Sequence, residues 1–141
     1  MKFLIFISVI VGSSVAVELL GRDQSAAVRG QLICGGKPAN GVLVKLWDVD
    51  RTDSDDLLDS GYTDNNGNFQ LQGWTKEYTT IDPKLNIYHD CEDGIKPCQR
   101  KFGIVIPDKY VSHGKAPKSV YDAGTIQLAG KYPGESRDCI H

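Results

Sequence analysis

The sequence holds only one long apolar run, at residues 3–11, and no other stretch approaches the length that a membrane-spanning helix requires. A transmembrane segment is therefore not expected. Basic residues are not in excess either: 16 Lys and Arg stand against 18 Asp and Glu. That balance excludes nucleic acid as an expected partner, and the lack of a polybasic run argues against strong attraction to anionic lipid. No Asn lies in an N-x-Ser/Thr context, so N-glycosylation is not expected. No segment carries a convincing amphipathic helical period, and there are no internal repeats, low-complexity stretches or linkers.

The one apolar run sits in a telling context. Lys2 supplies a positive start, residues 3–11 form the apolar stretch, and Ser14-Val15-Ala16 is a small-x-small site. The pattern is that of a secretory signal peptide with cleavage after Ala16. The expected division is 1–16 signal peptide, 17–26 flexible lead and 27–141 folded domain. Cleavage removes 16 of 141 residues and with them one base, Lys2, leaving 15 bases against 18 acids, a net charge of −3. The remaining 125 residues suffice for one domain with a proper core but not for two. The expected product is secreted, extracellular and soluble.

Export gives meaning to the four cysteines, Cys34, Cys91, Cys98 and Cys139. An even number in an oxidising compartment points to two bridges, and four cysteines allow three pairings. Cys91 and Cys98 enclose six residues that include Gly94 and Pro97, so local closure is easy. The expected pairs are then Cys91–Cys98 and Cys34–Cys139, the second tying the first strand to the tail. Closing so long a loop would contribute about 4–5 kcal/mol on the loop-entropy argument.

The mature chain reads as short strands separated by turns. Val28, Leu32 and Cys34 alternate with Arg29, Gln31 and Ile33 in a first strand, ended by Gly35-Gly36-Lys37-Pro38. Val42, Val44 and Leu46 share one face of a second. Residues 57–63 form a third, and Asp64-Asn65-Asn66-Gly67 a tight turn whose residues tolerate positive φ. Phe69, Leu71 and Gly73 mark a fourth strand, Leu85, Ile87 and His89 a fifth, and Phe102, Ile104 and Ile106 a sixth. Residues 121–128 supply a seventh, with Tyr121, Ala123, Thr125 and Gln127 on one face. The tail from Gly130 reads as irregular. The expected fold is all-β, a sandwich of seven to eight strands with two disulfides.

Several constellations bear on chemistry. His89, Cys91 and Cys98 offer three zinc donors, completed by Asp90, Asp93 or His113, but in an oxidising space a disulfide is favoured. The same oxidation removes a nucleophilic cysteine. Ser112-His113 lacks both a nucleophile elbow and an oxyanion loop. Asp48, Asp50, Asp53, Asp55 and Asp56 crowd one loop with hard oxygen donors, without the glycine and distal glutamate offsets of a calcium hand. No cofactor, metal or catalytic residue is expected. Lys84, Lys96, Arg100 and Lys101 gather in sequence around the cysteine loop and would form a basic rim, diluted by Glu92 and Asp93. Glu92, Asp93, Lys96, Arg100 and Lys101 are the candidate binding residues. Trp74 stands at the expected end of the fourth strand, where an exposed ring would anchor a partner.

A resemblance sharpens this. Gln31-Leu32-Ile33-Cys34, Val42-Leu43-Val44-Lys45-Leu46, Gly61-Tyr62-Thr63-Asp64-Asn65-Asn66-Gly67-Asn68-Phe69, residues 81–91, Cys98-Gln99-Arg100-Lys101-Phe102 and residues 121–130 resemble the nematode transthyretin-like family. The ending at residues 133–141 is similar too. The resemblance implies a prealbumin-like sandwich and secretion in a nematode, and little biochemistry. A distant similarity reaches the hydroxyisourate hydrolases, which end in Tyr-Arg-Gly-Ser; here the ending is Arg137-Asp138-Cys139-Ile140-His141. The expected function is a non-enzymatic extracellular binding or adaptor protein for a small apolar ligand, a lipid or a cell-surface partner. The alternatives are a hydrolase related to those enzymes, which a convergent cluster of His89, His113 and an arginine would favour, and an extracellular structural protein.

Overall fold

The computed structural model describes residues 21–141 apart from positions 51 and 53. The expected leader, its cleavage point at Ala16 and residues 17–20 lie outside the described residues. The described chain forms ten strands: β1 Arg22–Cys34, β2 Lys37–Pro38, β3 Leu43–Asp48, β4 Asp56–Tyr62, β5 Asn68–Glu77, β6 Pro83–His89, β7 Gln99–Val105, β8 Ser112–His113, β9 Tyr121–Gln127 and β10 Ser136–Asp138, with a single 3₁₀ turn at Asp108–Tyr110. One sheet is built on β1, which pairs with β2, β5, β8 and β9. The other runs in the order β10-β7-β6-β3-β4. Val28, Leu32, Phe69, Leu71, Ile126 and Leu128 from the first face Val44, Leu46, Leu85, Ile87, Phe102 and Ile106 from the second. Each such side chain, taken fully from water, contributes about 1.5–3 kcal/mol. The apolar alternation expected in the first, second, fourth, fifth and sixth strands is thus the core-facing set of a two-layer sandwich.

Three features depart from the sequence reading. First, residues 22–26 are not a flexible lead but the first part of β1, pairing with β5 from Arg22↔Glu77 onward. Gln24 is buried, and its carboxamide donates to the carbonyls of Glu77 and Thr79 and accepts from the Ile81 amide. Polar and small residues there hide a strand that hydrophobic alternation cannot reveal. Second, the tail is not wholly irregular: β10 adds to β7 through Ser136↔Lys101, Arg137↔Arg100 and Asp138↔Gln99.

Third, β9 does not keep one face. Val28↔Tyr121 and Arg29↔Asp122 are followed by Gln31↔Thr125, so β9 carries one extra residue opposite Gly30. Gly124 takes up the bulge with φ +74°. Tyr121 and Ala123 pack on the core before it, Ile126 and Leu128 after it. The inward phase changes from odd to even, which a strict period of two misses.

Candidate functional site

The cysteine-bearing segment joins β6 to β7, and its cysteines are bridged otherwise than expected. Cys34 pairs with Cys91, and Cys98 with Cys139; the local Cys91–Cys98 closure does not form. The reason is strand pairing. Cys34 ends β1 in one sheet and Cys91 follows β6 in the other, so this bridge crosses the sandwich. Cys98 precedes β7 and Cys139 follows β10; the pair continues the β10–β7 register by one step beyond Asp138↔Gln99. Between Cys91 and Cys98 the backbone enters the left-handed region at Glu92 (φ 51°) and Gly94 (φ 58°), and again at Cys98 (φ 65°). Each end of the loop is thereby fixed to a different element.

Two arginines complete the fixation. Arg137 meets the Asp93 carboxylate in a bidentate pair, Nη1 to Oδ2 at 2.7 Å and Nη2 to Oδ1 at 2.6 Å, and its Nη1 also donates to the Cys98 carbonyl. That contact holds the Asp93 carboxyl below its ordinary range. Arg100 is buried and donates to the Cys91 carbonyl, the Gly130 carbonyl and both Glu135 oxygens. Its guanidinium likewise lowers the Glu135 carboxyl. Such forked, charge-assisted contacts fix orientation as well as strength.

His89 lies at the same end, 2% exposed. Its Nδ1 accepts from the Cys91 amide at 3.0 Å, so the neutral ring carries its proton on Nε2. Among the described residues that Nε2 has no partner. Burial, and then the neighbouring Arg100 charge, push the imidazole pKa down. The zinc donor set is not assembled, because both sulfurs are spent in separate bridges and Nδ1 is occupied.

Of the five expected binding residues, the structure divides the roles. Asp93 and Arg100 are buried and hold the loop in place. Lys101 reaches Asp138 at 3.5 Å and lies over the Tyr88 ring. Glu92 and Lys96 remain exposed. The basic rim does not form: Arg100 faces inward, and Lys84 pairs with Trp47 at the far end of β6. Sequence reasoning missed Ile95, which stands at the loop tip with full exposure, 102% of its reference surface. Its only signal was an isolated apolar residue between Gly94 and Lys96. Clefts of about 300 Å³ and 450 Å³ flank the two bridges, the first lined by Val42, His89 and Leu128, the second by Asp138 and His141, with Asp90 and Gln99 lining both. Trp74 is 46% exposed, but it lies within β5 beneath the Lys115 ammonium rather than at a strand end.

The histidines do not converge. His113 pairs with Gln24 at the start of β1, whereas His89 sits near Cys34 at its end. Ten residues of strand separate those ends, roughly 33 Å. The acidic loop gathers only in part. Carboxylate oxygens of Asp48, Asp56 and Glu77 lie within 4.8 Å of one another. Asp55 and Asp50 instead serve local turns, accepting from the Asp50 and Thr52 amides respectively. Burial, then the neighbouring acids, raise the Asp48 and Glu77 pKa values.

The transthyretin-like family (TTR-52) matches residues 29–107, from the middle of β1 to just past β7. Transthyretin-like protein 5 of Caenorhabditis elegans is 63% identical over 139 residues, covering 98% of this chain and 99% of its own. Transthyretin-like protein 2 of the same organism is 49% identical over 146 residues, 99% of each chain. Transthyretin-like protein 33 is 54% identical over 119 residues, 84% of this chain and 83% of its own. With a family model matching more than half of its length and relatives similar along nearly all of it, the chain belongs to the transthyretin-like family.

Proposed function

We propose that this chain is exported and acts without catalysis, as an extracellular binding or adaptor protein that meets a cell-surface partner through the stapled loop at residues 91–98. The observation that carries the reading is Ile95, a fully exposed aliphatic side chain on a loop anchored by two bridges and the Asp93–Arg137 pair. An apolar anchor held in place before contact loses little conformational entropy on binding. Two bridges accord with an oxidising compartment, and the N-terminal pattern accords with export. The separation of His89 from His113 supports a non-enzymatic role.

The test compares oxidised wild-type protein with Ile95→Asp. Both are presented to nematode extracellular fluid and membranes, and to vesicles with and without anionic lipid. A protein retained by the wild type and lost by the variant supports the reading. Equal retention by both proteins overturns the loop's role, and retention only by vesicles moves the partner from protein to lipid. Sequencing the N-terminus of material recovered from the medium tests export; a start at Val17 is expected, and retention inside the cell would refute it.

A further inference from the structure

The two bridges differ in what covers them. Cys91 is 7% exposed and belongs to the core cluster, and Cys34 packs against that cluster. Cys139 is exposed and Cys98 half-buried, and a cleft of about 450 Å³ lined by Pro97, Cys98, Cys139 and His141 lies against them. A thiolate must reach a sulfur to attack a bridge, so access separates the two. Cys98 also keeps its backbone in the left-handed region at φ 65°, where an L side chain persists only under constraint. The constraint comes from the bridge to Cys139 and from Arg137 Nη1, which donates to the Cys98 carbonyl.

The segment behind the outer bridge is short. β10 has three residues and forms an edge of its sheet. Besides its pairing with β7, it is tied by Lys101 to Asp138 at 3.5 Å and by Arg137 to Asp93. Upstream the chain is anchored independently: Tyr132 stacks on Phe102 with ring centroids 4.5 Å apart, and Glu135 pairs with Arg100. What the bridge can release is therefore residues 136–141, and with Arg137 goes the contact that fixes Asp93 in the stapled loop.

We propose that Cys98–Cys139 is a thiol-reducible latch, opened by a dithiol reductant while Cys34–Cys91 stays closed, and that its opening frees β10 and loosens residues 92–97. One thiolate of the reductant attacks the exposed Cys139 sulfur, the S–S bond breaks, and the Cys98 sulfur leaves as a thiolate that takes up a proton. The reductant's second thiolate then attacks the mixed disulfide and releases Cys139 as a thiol. Two electrons pass to the bridge, and the reductant leaves as its own disulfide. As a control on recognition, the latch rests on the reading of the stapled loop given above; as a property of the fold, it stands apart from it.

The test applies graded dithiothreitol to the oxidised full chain. Free thiols are trapped with iodoacetamide, and the remaining bridges are reduced and trapped with N-ethylmaleimide before mass spectrometry. Cys98–Cys139 should open about tenfold faster than Cys34–Cys91, or more. Hydrogen exchange on the half-reduced protein should quicken at residues 92–97 and in β10, and stay as in the oxidised form in β3 and β6. Cys98→Ser with Cys139→Ser, which cannot close the latch, should show that exchange pattern without reductant. Opening of both bridges at one rate, opening of Cys34–Cys91 first, or an open latch with β10 still protected would overturn the proposal. These readouts need no partner, so a loop that retains nothing through Ile95 refutes the recognition reading and leaves the latch in place.

Discussion

The two ends of β6 stand in opposite electrostatic worlds. At the His89 end, carboxylates meet arginines: Asp93 with Arg137, Glu135 with Arg100, and both acids are held below their ordinary range. At the Pro83 end, some six residues or roughly 20 Å away, Asp48, Asp56 and Glu77 crowd together, and Asp48 and Glu77 are pushed up. One strand links a region where charge supports the fold to a region where charge opposes it. The difference shows that charge density in a sequence says little until pairing is known. The acidic loop and the cysteine loop look equally polar on paper, yet only one of them is neutralised and covalently held.

The sharpest way to break this contrast is to remove the bridges. Cys34→Ala with Cys91→Ala deletes a crosslink that spans 57 residues. The expected cost is about 4 kcal/mol from unfolded-chain entropy, with a further loss because Cys91 belongs to the core cluster. Urea midpoints would measure it. Cys98→Ala with Cys139→Ala, spanning 41 residues, should cost less and show its main effect as faster amide exchange in β10. Equal loss of protection throughout the sandwich would refute this separation.

Next in size is Arg100→Ala. It strands Glu135, whose side chain is 9% exposed, and releases the Cys91 and Gly130 carbonyls. Breaking a buried pair from one side costs about 3 kcal/mol, read as a shift in the unfolding midpoint. Replacing Arg100 and Glu135 together by Met and Leu should recover much of that loss, because the cost lies in the orphaned charge. No recovery would mean that the carbonyl contacts dominate.

What could be read beforehand follows the same divide. The core strands were legible because Val44, Leu46, Leu85 and Ile87 bury one face of an antiparallel sheet, and burial imposes the period of two. The bridges were not. Whether Cys91 faces Cys98 or Cys34 depends on β10 reaching β7, a long-range pairing that local loop closure cannot anticipate. Arg100 and Asp93 looked like surface charge because their partners, Glu135 and Arg137, lie 35 and 44 residues away. Gln24 concealed a strand behind a polar side chain, and Gly124 concealed a bulge opposite Gly30. The acid trio was half visible: Asp48 and Asp56 stood out, while Glu77 arrives from β5.

Acidification should separate the two ends on one axis. His89 is lowered from its ordinary 6.5. The unfolded chain therefore binds the proton first, and stability contributed by the neutral ring is lost as pH falls through 6.5 toward the lowered value. Asp93 and Glu135 are also lowered, so their contribution is present above their unfolded values and lost as pH falls below about 4.5. Asp48 and Glu77 are raised, so their penalty exists at neutral pH and is relieved as they take up protons. Unfolding free energy measured from pH 7 to pH 3 should thus change little between 6.5 and 4.5, where the His89 loss and the relief at Asp48 and Glu77 oppose each other, and fall steeply below 4.5. His89→Gln should remove the opposing loss and leave a rise between 6.5 and 4.5, with the steep fall unchanged. An unchanged slope above pH 5 in that variant would remove His89 from the account.

The smallest effect has the most instructive sign. Asp56→Asn removes one of three neighbouring charges while keeping the side chain's shape. Relief of like-charge repulsion should stabilise the protein by about 1 kcal/mol or less, in low salt more than in high, since screening already weakens the repulsion. The matched change at the other end, Glu135→Gln, removes the same unit of charge but leaves the Arg100 guanidinium buried without a counter-charge, and should destabilise. Two neutralisations of one kind, differing only in which end of β6 they touch, must therefore move the unfolding midpoint in opposite directions. If both destabilise, the acidic trio is held by contacts that outweigh its repulsion, and the electrostatic contrast between the two ends fails.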